Sequence, residues 1–335
     1  MTEAGRKGRG LGLCSGGLDS TLAGLVLREQ GVEVEWVAFE TPFFSASKAR
    51  KAARLTGIPL TVLPIFPEYM VMLRNPRAGY GKTMNPCMDC HALMFRLAGG
   101  FMREKGLDFL FSGEVLGQRP MSQTRPSLHY VEKHSEMAGY VLRPLSAKLL
   151  PETIPEQQGL VDRERLLAIS GRGRKDQIAL AEKFGLTDYP APAGGCLLTD
   201  KGFSARLRDL FDHQPGFGEN DVHLLKCGRH LRLNPRAKLI VGRTERDNEN
   251  LLQHRSAGHD TVLDVRDYPS PIGVLQGTVE EEDVVRAAAV CVGYSKAPRG
   301  APVDVVVTAP NGERVVRVVA IPPEEVRSLM VPTSS

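Results

Sequence analysis

The stretch CSGGLDS, residues 14–20, sets two serines, two glycines and an aspartate between a short apolar run and the helix-like STLAGLVLREQG. Glycines after a strand let backbone N–H groups approach phosphate oxygens, and a following helix N-terminus favours an anion. Here Gly16 and Gly17 supply the turn, Ser15 and Ser20 add hydroxyl donors, and Asp19 adds a carboxylate able to hold Mg²⁺ against the phosphates. A plain strand-to-helix turn capped by Ser or Asp uses the same residue types, and from spacing alone that alternative stays open. GYGKT, residues 79–83, ends like another phosphate loop, but Pro76 stands where its first glycine would lie.

A second constellation is made of thiols. NPCMDCH, residues 85–91, puts Cys87 and Cys90 on one turn, close enough to share a metal, form a redox pair or fill a core. Cys196, in PAPAGGCLLTD, follows two glycines whose freedom lets a thiol enter a site. Three thiolates without a fourth suit a [4Fe–4S] cluster with one open iron, or a catalytic dithiol, better than a closed four-cysteine zinc site. His91 can complete a zinc site or be an ordinary polar residue at a helix start. Cys14 reads as a small buried strand residue.

These residues need a scaffold, and the pattern before residue 120 supplies one. LGLC, VEVEWVAFE, PLTVLPI and DFLFSG read as strands, separated by helices that end at Gly31 and Gly57. Strands and helices in that order predict an α/β fold: a parallel sheet with helices on both faces. Ligands then sit at the carboxyl ends of the strands, where CSGGLDS, Phe39 and the segment Ser112, Gly113, Glu114 fall. VDRERLLAIS, residues 161–170, reads as a helix, and GRGRKDQ after it offers Arg172, Arg174 and Lys175 to phosphates of RNA or of a triphosphate.

FDHQPGFGEND, residues 211–221, is a boundary in texture, giving domains 1–210 and 211–335. The second domain reads as strands and hairpins, an α+β unit with an Asn311-Gly312 turn signal. Its basic strip, Lys226, Arg229, Arg232, Arg236, Lys238 and Arg243, fits phosphate-backbone binding or a solvated face. Six cysteines in 335 residues are too few for a disulfide scaffold. With 42% hydrophobic residues, a net charge of +4, no apolar run of membrane length and a polar N-terminus, the expected address is the cytoplasm.

SGGLDS on a first strand resembles the PP-loop of the ATP pyrophosphatases, which cleave ATP to AMP and pyrophosphate by adenylating a substrate oxygen. The resemblance implies that Ser15, Gly16, Gly17, Asp19 and Ser20 hold ATP and Mg²⁺. NPCMDCH resembles the NPC-x-x-CN signature of tRNA 2-thiouridylases, with His91 in place of the usual Asn, and Cys196 is similar in placement to their second essential cysteine. SGEVLGQRPMSQ and LRPLSAKLLPETIPE look like 2-thiouridylase-like or 4-thiouridine-synthetase-like proteins. GRHLRLNPRAKLIVGRTERDNENL and YSKAP look like the RNA-binding domain of NFACT proteins.

Together these resemblances imply ATP-dependent thiolation of a tRNA uridine. The cofactors would be ATP, Mg²⁺ and a [4Fe–4S] cluster on Cys87, Cys90 and Cys196, with zinc or no metal as alternatives. The partners would be tRNA and a sulfur donor, either a cysteine desulfurase or inorganic sulfide. No THUMP-type module stands ahead of the loop, so the C-terminal domain is expected to replace it. The other readings are a small-molecule PP-loop ligase and a non-catalytic RNA-binding protein with a nucleotide site.

Overall fold

A computed structural model describes residues 6–191 and 196–331. The chain divides into two compact units, 1–196 and 197–335. The first contains strands β1 Arg9–Leu13, β2 Glu33–Glu40, β3 Leu60–Pro64, β4 Phe109–Ser112 and β5 Val141–Leu142. Its helices are α1 Leu18–Glu29, α2 Ser47–Thr56, α3 Phe66–Arg74, α4 Cys87–Glu104, α5 Arg125–Ser135, α6 Ile154–Gln157 and α7 Lys175–Lys183.

The strands form one parallel sheet in the order β3-β2-β1-β4-β5, the α/β architecture that the sequence predicts. From β1 the chain runs through α1 and α2 toward β3, then returns through α3 and α4 to β4 on the other side of β1. Right-handed crossovers therefore put α1 and α2 on one face and α4 on the opposite one. The direction reverses at β1 and β4, where Leu13 pairs with Ser112, and a crevice must open at that carboxyl end.

Local sequence explains the elements that frame the crevice. Leu18, Leu22, Leu25 and Val26 give α1 a buried apolar face, and Gly24 lets the Trp36 indole approach to 3.0 Å of where a Cβ would lie. Ala49 and Ala52 turn α2 inward, and Gly57 ends it at φ 69°, its N–H bonded to the Ala53 carbonyl. The segment VDRERLLAIS departs from its helical reading. Only Arg163–Arg165 forms a short 3-10 turn, and the rest runs extended. Leu167 N–H bonds Pro144 O and Ile169 N–H bonds Leu145 O, so backbone pairing across the fold outweighs the local helical period.

The second unit holds α8 Lys201–His213, α9 Glu219–Leu224, α10 Glu245–His254, α11 Glu281–Tyr294 and α12 Pro323–Leu329. Its strands are β6 Arg229–Asn234, β7 Ala237–Val241, β8 Thr261–Val265, β9 Gly273–Gly277, β10 Val303–Ala309 and β11 Gly312–Val318. They form an antiparallel sheet, β11-β10-β8-β9-β7-β6, whose apolar residues share a core with Ala287, Ala288 and Cys291 of α11. The division at 196 places α8 in this unit, whereas sequence texture suggests 210. Asp209 of α8 pairs with Arg232 and Lys238 of the sheet. Among the described residues no helix is long and apolar enough to cross a membrane.

Candidate active site

At the β1–β4 reversal lies a cavity of about 560 Å³ whose lining includes Ser15, Gly17, Asp19 and Ser20. Ser20 Oγ and Thr21 Oγ1 donate to Gly17 O at 2.9 and 3.0 Å, and Ser15 Oγ accepts from Gly17 N at 3.3 Å. These bonds fix the loop before any ligand arrives. Gly16 sits at φ +71°, and a Cβ there would fall 2.1 Å from the Lys48 backbone. Gly16→Ala should therefore destabilise the chain by about 1–3 kcal/mol or more and weaken ATP binding in parallel, read by thermal melts and calorimetry. A Gly16→Ala protein with unchanged melting and ATP affinity would show that the close approach is dispensable.

Asp19, in the first turn of α1, carries the most telling atom. Its Oδ1 is buried and meets no donor in hydrogen-bonding geometry, although Gln118, Gln177, Arg174 and Arg119 surround the carboxylate. Burial raises the Asp19 pKa, against the pull of those amides and guanidinium groups. A carboxylate oxygen without a partner among the described residues, in a cavity of nucleotide size, fits a divalent cation bound with the nucleotide. Phe39, Ser112 and Gly113 also line the cavity. Gly113 matters for packing as well, since a Cβ there would lie 2.3 Å from Ser20 N and only glycine lets β4 close against the loop.

Glu114 reaches the cavity wall, yet its carboxylate is already engaged. Oε1 lies 2.8 Å from His91 Nδ1, and Oε2 accepts from Arg143 Nε at 3.0 Å and from Ser112 Oγ at 3.3 Å. Arg143 in turn pairs with Glu132. Burial would raise the Glu114 pKa, but the charge of Arg143 and the bonds from His91 outweigh it and bring it down to about 2. Glu114 thus lines the cavity and at the same time braces His91 and Arg143.

A folded-state pKa below the unfolded one means that Glu114 stabilises the fold above about 4.5 and that this contribution is lost as pH falls toward 2. Glu114→Gln leaves Arg143, with 3% of its side chain exposed, with Glu132 as its remaining counter-charge. Urea unfolding at pH 7 should show a loss of about 1–3 kcal/mol, the cost of weakening a buried charged hydrogen bond. A loss under 1 kcal/mol would contradict this account of the pair.

Two of the cysteines lie outside the cavity lining, on α4, whose His91, Met94 and Phe95 do line it. Cys87 opens α4 and accepts from Asn85 Nδ2 at 3.3 Å. Asp89, buried between them, ties α4 to Ala78 N–H and to the Tyr130 hydroxyl, both at 2.8 Å. Cys90 is in hydrogen-bonding reach of Tyr69. Its pKa is raised to about 12, by burial first and then by Cys196, with Cys87 adding to it. The three thiols therefore gather around Tyr69, with Cys196 the most exposed. Among the described residues no three of His, Cys, Asp or Glu form a group able to hold a metal ion. The trio as arranged does not fit the implied cluster or a zinc site; Pro192 to Gly195, before Cys196, lie outside the described residues.

Arg172 and Arg174 line the cavity, and Arg174 acts on Asp19, so two of the three cations assigned to RNA face the nucleotide side; Lys175 begins α7, exposed. In the second unit the basic strip is partly consumed by the fold. Lys238 is 2% exposed and lies 2.8 Å from Asp209, and Arg232 grips the same carboxylate at 2.7 and 3.0 Å. Those two are corrected to structural roles. Arg229 stacks over Tyr294 and donates to Gly242 O, Arg243 donates to Gly228 O, and exposed Arg236 pairs with Glu280. Lys226 is exposed beside His223. Gln118, Arg119, Gln177, Arg143 and Tyr69 escaped sequence reasoning, although all but Tyr69 fall in segments already singled out, SGEVLGQRPMSQ, GRGRKDQ and LRPLSAKLLPETIPE.

Fold and cavity define the class: a PP-loop-type parallel α/β unit followed by an antiparallel α+β unit. Residues 5–149 match the family described as thiamine biosynthesis protein (ThiI), and residues 228–330 match NFACT protein RNA binding domain. Both matches agree with the resemblances drawn from the motifs. The probable tRNA sulfurtransferase of Oceanobacillus iheyensis is 29% identical over 164 residues, 46% of this chain and 39% of that protein. That of Acholeplasma laidlawii is 32% identical over 152 residues, 42% of this chain and 35% of that protein. The chain thus spans less than two fifths of the length of these relatives. A solved 4-thiouridine synthetase–RNA complex with bound ATP is 24% identical, with TM-score 0.35, over 55% of this chain and 54% of that one.

Proposed function

We propose that this chain is an ATP-dependent tRNA uridine thiolase, a tRNA sulfurtransferase. The observation that carries the reading is one wall-to-wall arrangement: a preformed phosphate loop with an unpartnered Asp19 oxygen, and beside it a helix bearing Cys87 and Cys90 with Cys196 nearby. The curated relatives named tRNA sulfurtransferases support it. A small-molecule ligase would leave the thiols and the RNA-binding-type unit without roles.

A uracil carbonyl oxygen is a poor leaving group. Attack of that oxygen on the α-phosphorus of ATP forms an O–P bond, breaks the bond to the β-phosphate oxygen and releases pyrophosphate, making AMP the leaving group. Ser15, Ser20 and the Gly16–Gly17 backbone hold the phosphates, while Arg172 and Arg174 offset charge on the departing pyrophosphate. Bound Mg²⁺, held by Asp19, would supply further charge neutralisation. A persulfide on Cys196 then attacks the activated carbon and AMP leaves. A second thiol, Cys90 or Cys87, attacks the Cys196 sulfur, releasing the thiouridine and leaving a disulfide that an external thiol reduces. The outer sulfur of that persulfide is sulfane sulfur passed from a cysteine desulfurase, or comes from sulfide that attacks the Cys196 disulfide and frees the second thiol, and the cations Lys226, Arg229, Arg236 and Arg243 of the second unit contact tRNA phosphates.

The test is pyrophosphate release from ATP by the purified chain with and without unfractionated tRNA. Release stimulated by tRNA supports the reading; release indifferent to every tRNA preparation contradicts it.

A further inference from the structure

His91 belongs to neither the loop nor the thiol trio, yet it stands where the two meet. Cys87 and Cys90 occupy the first turn of α4 without lining the cavity, while His91, Met94 and Phe95 on the same helix do line it. A base that must reach both the phosphate side and the sulfur side has to pass this residue.

The orientation of its ring is fixed. Nδ1 lies 2.8 Å from Glu114 Oε1, and Glu114, buried and bonded to Arg143, is an ionised acceptor. Nδ1 therefore carries the proton, and in the neutral imidazole Nε2 presents a lone pair. His91 lines the cavity with 28% of its side chain exposed, and Nε2 is the ring nitrogen that Glu114 does not engage. The Asn of the thiouridylase signature can rotate its amide to present donor or acceptor; His91 braced by Glu114 presents one only.

We propose that His91 Nε2 is the specificity-determining acceptor for the imide N–H of the target base: it takes N3–H of uracil and refuses cytosine. In cytosine N3 is itself a lone pair, and two acceptors would face each other across a partly desolvated wall. Discrimination on the order of 10²-fold follows from one such unmade bond. The proposal rests on the reading of this cavity as the place where a uridine is activated.

The test uses the full chain with ¹⁵N-labelled histidine, the His91 signals being assigned by their loss in His91→Asn. With α,β-methylene-ATP bound, uridine 5′-monophosphate should shift His91 Nε2, while cytidine and 3-methyluridine monophosphates should not. In His91→Asn, uridine and cytidine monophosphates should compete for the site within about 10-fold of each other, against about 10² for the wild type. A free ring protonated on Nε2, an Nε2 signal indifferent to the uridine nucleotide, or an equal response to the cytidine nucleotide overturns the proposal. Its failure is separable from that of the thiolase reading. A uridine-specific shift without tRNA-stimulated pyrophosphate release would sink thiolation and keep the uracil site. Stimulated release without any Nε2 response would do the reverse.

Discussion

Asp19→Asn should cut tRNA-stimulated pyrophosphate release by about 10²–10³-fold, the scale of losing one preorganised electrostatic contact at a charged transition state. The same substitution should leave the ligand-free protein at least as stable as the wild type at pH 7. Burial raises the Asp19 pKa, so the fold prefers the protonated acid. The sign is opposite to that of Glu114: Asp19 favours the fold at acidic pH and opposes it as pH rises through its folded pKa. An amide of the same shape removes that opposition. Melting of ligand-free Asp19→Asn should match or exceed the wild type at pH 7, and the difference should shrink toward acidic pH. An Asp19→Asn protein that melts lower while releasing pyrophosphate at the wild-type rate would show that the carboxylate serves the fold rather than the nucleotide.

Cys196→Ser should separate the two halves of the reaction. Activation needs only the loop and the base, so single-turnover pyrophosphate release should stay within about 3-fold of wild type, whereas thionucleoside formation should fall by about 10³-fold or more. Cys90→Ser should share the second loss, and the double variant should be no worse than either single one, because the thiols act as a unit. Mass spectrometry of digested tRNA beside a pyrophosphate assay reads both quantities. Cys196→Ser that still thiolates, or double-variant losses that multiply, would remove the trio from sulfur transfer.

The sequence made the parallel sheet legible because its strands are short apolar runs and the helices between the first three have marked stops at Gly31 and Gly57. It also exposed the phosphate loop and the C-x-x-C pair, which are local in the chain. What it hid is what distant residues impose. VDRERLLAIS has helical spacing but pairs its backbone with residues 144–148. Nothing local to Glu114 shows that Arg143, 29 residues on, makes it a brace as well as a lining residue. Lys238 and Arg232 carry charge that looks free in sequence and is neutralised by Asp209 in space. The sequence singled out His91 but not its partner, since Glu114 reaches its ring only because the chain leaving β4 passes it. Burial and counter-charge are properties of the fold, and no spacing rule contains them.

The central claim is that one cavity couples ATP cleavage to sulfur transfer onto a tRNA uridine. The most direct measurement incubates the purified full chain with ATP, Mg²⁺, a thiol reductant, a cysteine desulfurase with cysteine, and tRNA from cells lacking thiolated uridines, then analyses the nucleosides by mass spectrometry. The account predicts a thiouridine that appears only with ATP and in step with AMP, and that is lost in both Asp19→Asn and Cys196→Ser. Thiouridine formed without ATP, or AMP and pyrophosphate released with tRNA while its nucleosides stay unchanged, would contradict it.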